Sequence, residues 1–314
     1  MPAVGEERVA LRHQLGQLLV SSFLGPALPD YLRRRLRAGE TTGVILFGGN
    51  VPTGPGAKRL TAAIQRAAGG GALVTTDQEG GAIRSLAFAD SAQEVRAAGV
   101  NVNLAPVADV AQPGSVMLGR AFTGDVAGQT VAALRELLDA RVLPTVKHFP
   151  GLGRARENTD DAPVTIDATL EELDTDLAPF EAAVDADVPL VMASHALYPA
   201  LDHRRIASQS RTVLGDLLRR RLGFRGVVVT DSIEADAVLA RSSVETAAVR
   251  SVAAGADIVL MTGPGSFDGV RDRLLARARR SARFRRRVED SAQRVLVLKD
   301  RMGLGRLSRR SSAR

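Results

Sequence analysis

Residues 142–153 read VLPTVKHFPGLG, an apolar run that ends in two basic side chains and leads into a loop with proline and glycine. The same arrangement recurs along the chain: a short apolar run, then polar residues, then a segment with helical spacing. Continuous apolar runs of this length are typical of strands that are buried on both faces of a parallel sheet. The seven predicted strands cover residues 43–47, 72–76, 100–105, 142–148, 189–194, 226–230 and 257–261.

Amphipathic segments separate these strands, and some of them begin with a capping signal. Thr169 stands shortly before Glu171 and Glu172, and Ser243 stands two residues before Glu245, as at the start of many helices. Strands that alternate with helices predict a parallel sheet joined by crossover helices. The predicted helices cover residues 56–68, 126–140, 169–186, 212–221 and 244–254.

Polar side chains at the strand ends decide between a closed barrel and an open sheet. A barrel gathers every strand end around one mouth, whereas an open sheet gathers only those near its switch point. No Gly-x-Gly-x-x-Gly follows the first strand, so a dinucleotide site lacks its fingerprint. We therefore predict a (β/α)8 TIM-type barrel in a single domain over residues 1–305. The polar residues concerned are Asp77, Asp109, Lys147, His148, Ser194, His195 and Asp231.

Composition excludes several kinds of chemistry. The chain has no cysteine, which excludes disulfides, thiolate metal sites and a cysteine nucleophile. Its Asp and His residues lack the spacing of metal ligands, so we expect neither a metal nor an organic cofactor. The charged first 17 residues do not form a signal peptide, and no apolar run is long enough to span a membrane. A cytoplasmic location is therefore predicted, with a trimmed secreted form as the alternative, and we also expect a monomer.

The formal net charge of +7 permits binding to polyanions. Much of the excess lies in arginines between residues 279 and 287 and in the tail 306–314, which is rich in Ser and Arg and is predicted to be disordered. The chain has no Trp and two Tyr, which gives little support for a base-stacking platform. We therefore expect no nucleic-acid partner.

Four segments carry candidate chemistry: DQEGG at 77–81, KHFPGLG at 147–153, MASH at 192–195 and VVVTDSIE at 227–234. Taken singly, each permits a structural role, such as a glycine turn or a helix cap at Asp231. Together and in this order they resemble glycoside hydrolase family 3, specifically its β-N-acetylhexosaminidase branch. The resemblance extends from about residue 11 to about residue 305, and includes the segments NLAPV at 103–107 and GRAF at 119–122.

This resemblance implies a retaining exo-glycosidase that hydrolyses terminal β-linked N-acetylglucosamine through a covalent glycosyl-aspartate intermediate. Asp231 matches the nucleophile of the family. Asp77, Arg120, Lys147 and His148 match its sugar-binding residues, and such charged groups are suited to gripping hydroxyl and acetamido oxygens. The substrates implied are cell-wall muropeptides or related glycans.

The chain departs from the family at the acid/base. The usual pattern on the loop after the Lys-His-Phe-Pro-Gly strand is Asp-Ser-His, but residues 154–161 read RARENTDD. Counted from Gly153, Asn158 takes the position of the Asp and Asp160 that of the His. Leu152 replaces a further His between the two glycines.

Two interpretations follow from this loop. Asp160, or alternatively Glu157 or Asp161, serves as a carboxylic acid/base, with Arg154 and Arg156 favouring its ionised form. Otherwise the protein is a non-catalytic binder of the same sugar. β-Glucosidase or phosphorylase activity on the same fold is a third alternative.

A second departure lies between residues 77 and 101, where the connection is shorter than is usual in the family. Arg84 stands one position before the Arg of the family pattern, and Ser85 takes that position, which makes Arg84 a doubtful ligand. A trimmed connection here predicts an irregular or open barrel wall, which would explain why an eighth strand cannot be placed.

Overall fold

The computed structural model describes residues 4–263 and 265–305. The tail predicted to be disordered, 306–314, lies outside the described residues. None of the described helices combines the length and apolar composition needed to cross a membrane.

Eight parallel strands form a closed barrel, which confirms the predicted fold. Each strand pairs with its neighbours in the sequence, and the first pairs with the last to close the ring. The strands are β1 (Leu19–Ser21), β2 (Gly43–Leu46), β3 (Leu73–Thr76), β4 (Val102–Asn103), β5 (Leu143–Phe149), β6 (Leu190–Ala193), β7 (Val227–Ser232) and β8 (Ile258–Met261).

Helices surround the barrel, and all five predicted helices are present. Thr169 accepts a hydrogen bond from the backbone N–H of Glu172, and Ser243 accepts one from Thr246, so both predicted caps are confirmed. The described helices are α1 (Val4–Gly16), α2 (Asp30–Arg37), α3 (Gly54–Ala67), α4 (Ala92–Ala97), α5 (Val126–Asp139), α6 (Leu170–Asp185), the π-helix α7 (Thr212–Arg221), α8 (Asp236–Leu239), α9 (Val244–Ala254), α10 (Ser266–Arg280) and α11 (Ala282–Arg301).

Apolar side chains fill the inside of the barrel. Inward-facing residues of the strands, among them Ile45 and Leu190, pack into one cluster, so the barrel is a solid core rather than a pore. Val295 and Leu298 of α11 belong to the same cluster. The last helix therefore covers the end of the barrel at which the strands begin.

The eighth strand is β1, which precedes every predicted strand, so the expectation of an open wall between residues 77 and 101 is wrong. That segment does form a shortened unit: a hairpin of Gln78–Gly80 with Ile83–Arg84, followed by the six-residue α4. The wall stays closed there because Thr75 and Thr76 pair with β4. Asn101 reinforces the join, since its side chain bonds the backbone of Ala72 and Val74.

Candidate active site

The predicted site residues lie at the carboxyl ends of the barrel strands. Lys147 and His148 are in β5 and Asp231 is in β7, while Asp77 directly follows β3. Because all strands are parallel, these ends surround one mouth, where barrel enzymes carry their active sites. Buried contacts connect the predicted residues to each other.

Lys147 is the centre of a buried ion-pair cluster. Its Nζ lies 2.6 Å from Asp77 Oδ1 and 2.5 Å from Glu79 Oε1, and the residue is 2% exposed. Burial alone would lower the pKa of this ammonium, but the charges of Asp77 and Glu79 outweigh it and raise the pKa above its ordinary value. The lysine is therefore a fixed positive charge and not a surface side chain.

Glu79 joins Lys147 to Arg120 and is a site residue that the sequence analysis missed. Arg120 grips it with two nitrogens, Nε at 2.9 Å from Oε2 and Nη2 at 2.8 Å from Oε1. Burial opposes the charge of Glu79, yet Lys147 and Arg120 together lower its pKa to about 2. Its position in the DQEGG segment, two residues after Asp77, was the available signal.

Asp109 fixes the ring of His148. Asp109 is fully buried, its Oδ2 lies 2.7 Å from His148 Nδ1, and its Oδ1 accepts the backbone N–H groups of His148 and Leu152. A carboxylate partner places the ring proton on Nδ1. Nε2 is then left to face Asp231 Oδ2 at 4.0 Å and Arg120 Nη2 at 3.4 Å.

A backbone hydrogen bond and nearby side chains stabilise the ionised form of Asp231. Its Oδ1 accepts the N–H of Ser232 at 2.8 Å, and its side chain is one-fifth exposed. Burial would raise the pKa of Asp231, but His148, His195 and Lys147 outweigh it and lower the pKa below its ordinary value. Asp231 is therefore ionised at neutral pH, as a nucleophile must be.

His195 supports the same strand end from behind. The buried ring contacts the carbonyl oxygen of Ser232 through Nε2 at 2.9 Å and Ser208 Oγ through Nδ1 at 2.7 Å. Burial lowers the pKa of His195, which favours the neutral ring. The neutral ring donates one hydrogen bond to the carbonyl, so it fixes the backbone next to Asp231.

Asp160 lies on a loop that is tied to the segment after β7. The backbone N–H groups of Asp236 and Ala237 donate to the carbonyl oxygens of Asp160 and Thr159, at 3.0 and 3.1 Å. Asp160 is exposed at the barrel mouth, although nearby protein atoms exclude part of the water from its carboxyl. This partial desolvation and the charge of Asp231 raise its pKa to about 6.

Arg154, one of the two arginines expected to favour the ionised form of Asp160, pairs with helix α6. Arg154 pairs with Asp176 at 2.7 Å and with Glu172 at 3.1 Å, so it is committed to α6. The groups that oppose the raised pKa of Asp160 are Asn158, His148 and Arg120. Arg154 and Arg156 are not among these largest influences, and their expected effect on the carboxylate stays a prediction.

The remaining candidates lie apart from the ion-pair cluster. Arg84 bonds Asp90 and the carbonyl of Ala89, on the side of the shortened unit, consistent with its doubtful role. Glu157 lines a groove of about 650 Å³ next to Pro163. Asp161 is exposed on the same loop. Among residues 4–263 and 265–305, no group of three or more Asp, Glu or His side chains is arranged to hold a metal ion.

The barrel mouth thus holds one ionised carboxylate, one carboxyl of raised pKa and a buried set of charged hydrogen-bonding groups, which are group types that glycoside hydrolases use. Residues 87–298 match the description of the glycosyl hydrolase family 3 N-terminal domain. The chain belongs to glycoside hydrolase family 3.

Individual relatives agree with this assignment. An uncharacterised secreted glycosyl hydrolase of Arthroderma benhamiae is 32% identical over 94% of both chains. A β-hexosaminidase of Stenotrophomonas maltophilia is 32% identical over 80% of this chain and 85% of its own. A family 3 β-N-acetylglucosaminidase of Paenibacillus superposes with a TM-score of 0.87 and 32% identity. That match covers 93% of this chain and 62% of the Paenibacillus chain.

Proposed function

We propose that the protein is a retaining exo-acting β-N-acetylglucosaminidase. The observation that carries the proposal is the opposite shift of two carboxyl groups, a lowered pKa at Asp231 and a raised pKa at Asp160. Paired carboxyl groups whose pKa values are driven apart by their surroundings divide the roles of nucleophile and acid. The similarity to β-hexosaminidases supports the sugar specificity.

The proposed reaction has two steps. An ionised oxygen of Asp231 attacks the anomeric carbon, the bond to the aglycone oxygen breaks, and Asp160 gives its proton to the departing oxygen. Water then attacks the anomeric carbon of the glycosyl-Asp231 ester. Asp160, now a carboxylate, takes a proton from that water, and the sugar leaves with its β configuration retained.

The ion-pair cluster is proposed to bind the terminal sugar. Asp77 has an oxygen that can accept from a sugar hydroxyl, while Lys147 and Arg120 have N–H groups that can donate to hydroxyl and acetamido oxygens. Glu79 neutralises part of this positive charge and holds both cations in place. Such prepositioning lowers the entropy that is lost when the sugar binds.

His148 is not the proposed acid/base, although its pairing with Asp109 resembles such a device. Its Nε2 lies 4.0 Å from Asp231 Oδ2 and its Nδ1 is held by Asp109, so we assign His148 to the sugar-binding residues. A retaining mechanism requires the proton donor near the leaving oxygen on the other side. Asp160, on its separate loop, is the carboxyl that meets this requirement best.

The test is release of p-nitrophenol from its β-N-acetylglucosaminide by the purified full chain. We expect turnover, little activity on the β-glucoside, and no stimulation by phosphate. Asp231→Asn is expected to lower kcat by at least about a thousandfold, because losing the nucleophile removes several kcal/mol of transition-state stabilisation. Asp236→Asn, which changes an exposed carboxylate on α8, is the matched control and should retain activity.

Other outcomes distinguish the alternatives. Binding of N-acetylglucosamine without turnover in the parent protein would identify a non-catalytic sugar-binding relative. Preference for the β-glucoside, or release that depends on phosphate, would identify the third alternative. Cell-wall muropeptides or related glycans remain the proposed substrates. The cytoplasmic location remains a prediction, and the Arthroderma relative is described as secreted.

A further inference from the structure

A groove of about 620 Å³ lies on the outside of the barrel. It runs between the end of α10 and the first turns of α11, and α7 and α9 form its other side. The side chains and backbone that line it belong to Arg211, Gly215, Ala253, Ala254, Arg277, Ser281, Arg283, Phe284, Arg286, Arg287 and Asp290.

The groove is strongly and unevenly charged. Residues 273–287 contain eight arginines and no acidic residue, and one carboxylate, Asp290, lines the groove against five arginines. Among the described residues, four of these arginines form no ion pair; they are Arg211, Arg277, Arg283 and Arg286. Like charges held this close repel each other, so a bound anion would be stabilising.

The start of α11 adds to this field. Ser281 caps the helix by accepting the N–H of Phe284, and the 20 residues that follow present their positive dipole end to the groove. Guanidinium groups and helix N-termini both favour phosphate oxygens. Arg287 is the exception among the five arginines, since it is bound to the buried Asp257 and is not available to a ligand.

The groove lies at the end of the barrel opposite to the mouth. Ala253 and Ala254 end α9 just before β8 begins, and Arg287 bonds the carbonyl of Gly255 in the same connection. The catalytic side chains lie at the other ends of the strands. A ligand in the groove would therefore leave the mouth open to a sugar.

We propose that this groove binds the phosphate groups of a flexible linear polyanion. Four unpaired cations along one concave surface exceed what a single phosphate needs, and a concave surface fits a chain better than it fits a flat membrane. The one aromatic side chain in the lining, Phe284, is 4% exposed, so stacking with nucleobases is not supported. Recognition is through charge and is independent of bases or sugars.

The test measures binding of short-chain inorganic polyphosphate to the full chain at several KCl concentrations. We expect binding that weakens steeply with salt, because counterions are released from the polyanion. Arg277→Ala/Arg283→Ala/Arg286→Ala should weaken it at least tenfold and reduce the slope of log affinity against log salt by about 2. Arg34→Ala/Arg37→Ala/Arg59→Ala removes the same charge from exposed positions on α2 and α3 and is the matched control.

Two results would overturn the proposal. One is a polyphosphate affinity that falls equally in both triple variants, which would assign binding to net charge, or that is unchanged in both, which would assign binding to another site. The other is binding to vesicles of phosphatidylglycerol and phosphatidylcholine without binding to polyphosphate, which would indicate a membrane surface. Unchanged melting temperatures and p-nitrophenol release in both variants verify that the barrel and its mouth are intact.

Discussion

In the proposed mechanism, the carboxyl group of Asp160 sets the pH range in which the site can work. A histidine has an ordinary pKa near neutral pH and can carry its proton there, whereas a carboxyl can do so only if its pKa is raised. In this site, desolvation and the charge of Asp231 raise the pKa of Asp160 to about 6. The charge on Asp231 thus affects the protonation of Asp160, the residue proposed as the acid.

The pH profile of kcat/KM follows from these two shifts. Asp160 must carry its proton, so activity should fall as pH rises through about 6. Asp231 must be ionised, and its lowered pKa places the acidic limb below the ordinary range of an aspartate. We therefore expect an acidic optimum with alkyl glycosides, whose leaving group needs the proton of Asp160. An optimum near pH 8 would contradict the assignment of Asp160.

The role of Asp160 can also be separated by leaving group. Asp160→Ala should reduce kcat/KM for alkyl glycosides by about a hundredfold or more and largely spare activated aryl glycosides, which need little protonation. With activated aryl glycosides, the second step should limit kcat in this variant. Added azide should then restore part of kcat, because it replaces water as the nucleophile without needing a general base. Asp167→Ala, which removes an exposed carboxylate from the same connection, is the control, and this pattern in Asp161→Ala would move the role to Asp161. The same pattern in Glu157→Ala instead would move the role to Glu157.

At the residue scale the sequence predicted which residues form the site better than it predicted which of them pair with each other. Asp77, Arg120, Lys147, His148 and Asp231 stood out as charged residues at strand ends or in motifs, and strand ends meet in any parallel barrel. Which carboxylate neutralises which cation depends on side-chain directions that spacing does not encode. Glu79 and Asp109 were therefore invisible as partners, although both lie in segments that the analysis had singled out.

At the scale of elements, a buried contact joins the start of the loop between β5 and α6 to that helix. Asp176 on α6 is fully buried, and its Oδ2 accepts from Arg154 Nε at 2.7 Å. Gly151 packs directly on it: a Cβ at that position would come within 3.0 Å of Asp176 Cβ, and its φ of +129° suits glycine alone. Helix α6 therefore contacts the first residues of the loop that carries Asp160 directly.

Asp176→Ala should release that loop. We expect kcat/KM for an alkyl glycoside to fall about tenfold, equivalent to about 1.4 kcal/mol, because Arg154 loses its anchor and Asp160 its defined position. Activated aryl glycosides should be affected less, which separates positioning from general destabilisation. Asp174→Ala, an exposed α6 residue that pairs with Arg221, is the control. Equal losses on both substrate types would mean that the contact only stabilises the fold.

Element prediction failed at β1 for a physical reason. The strand has three residues, Leu19–Ser21, and follows directly on the helix α1, so its apolar residues continue the helical pattern. What makes it a strand is pairing with β2 and β8 on either side, which is tertiary information. The other seven strands were long enough, or flanked by clear enough breaks, to be placed.

At the scale of the whole molecule, a buried charge network joins the end of the chain to the barrel. Asp257, fully buried before β8, lies 2.6 Å from Arg219, 2.7 Å from Arg287 and 3.3 Å from Arg294. One carboxylate thus connects α7, α11 and the last strand. Its removal would leave three partly buried cations without their partner.

Asp257→Asn should therefore destabilise the fold by about 3–5 kcal/mol. Urea unfolding followed by circular dichroism measures the change, and Asp290→Asn, an exposed carboxylate on α11, is the control. Because the network lies opposite the mouth, the variant should retain its KM at temperatures where it remains folded. A loss below about 1 kcal/mol would show that the arginines are solvated without Asp257.

The closure of the ring by β1 and β8 has a consequence for how the chain is made. Residues 19–21 pair with residues 259–261, across nearly the whole length of the sequence. During synthesis from the N-terminus, β1 keeps one unpaired edge until β8, which ends at Met261, has left the ribosome. Long-range closure of this kind slows folding and leaves strand edges open to other chains. The barrel is therefore most vulnerable to aggregation while it is being translated, before its last quarter exists.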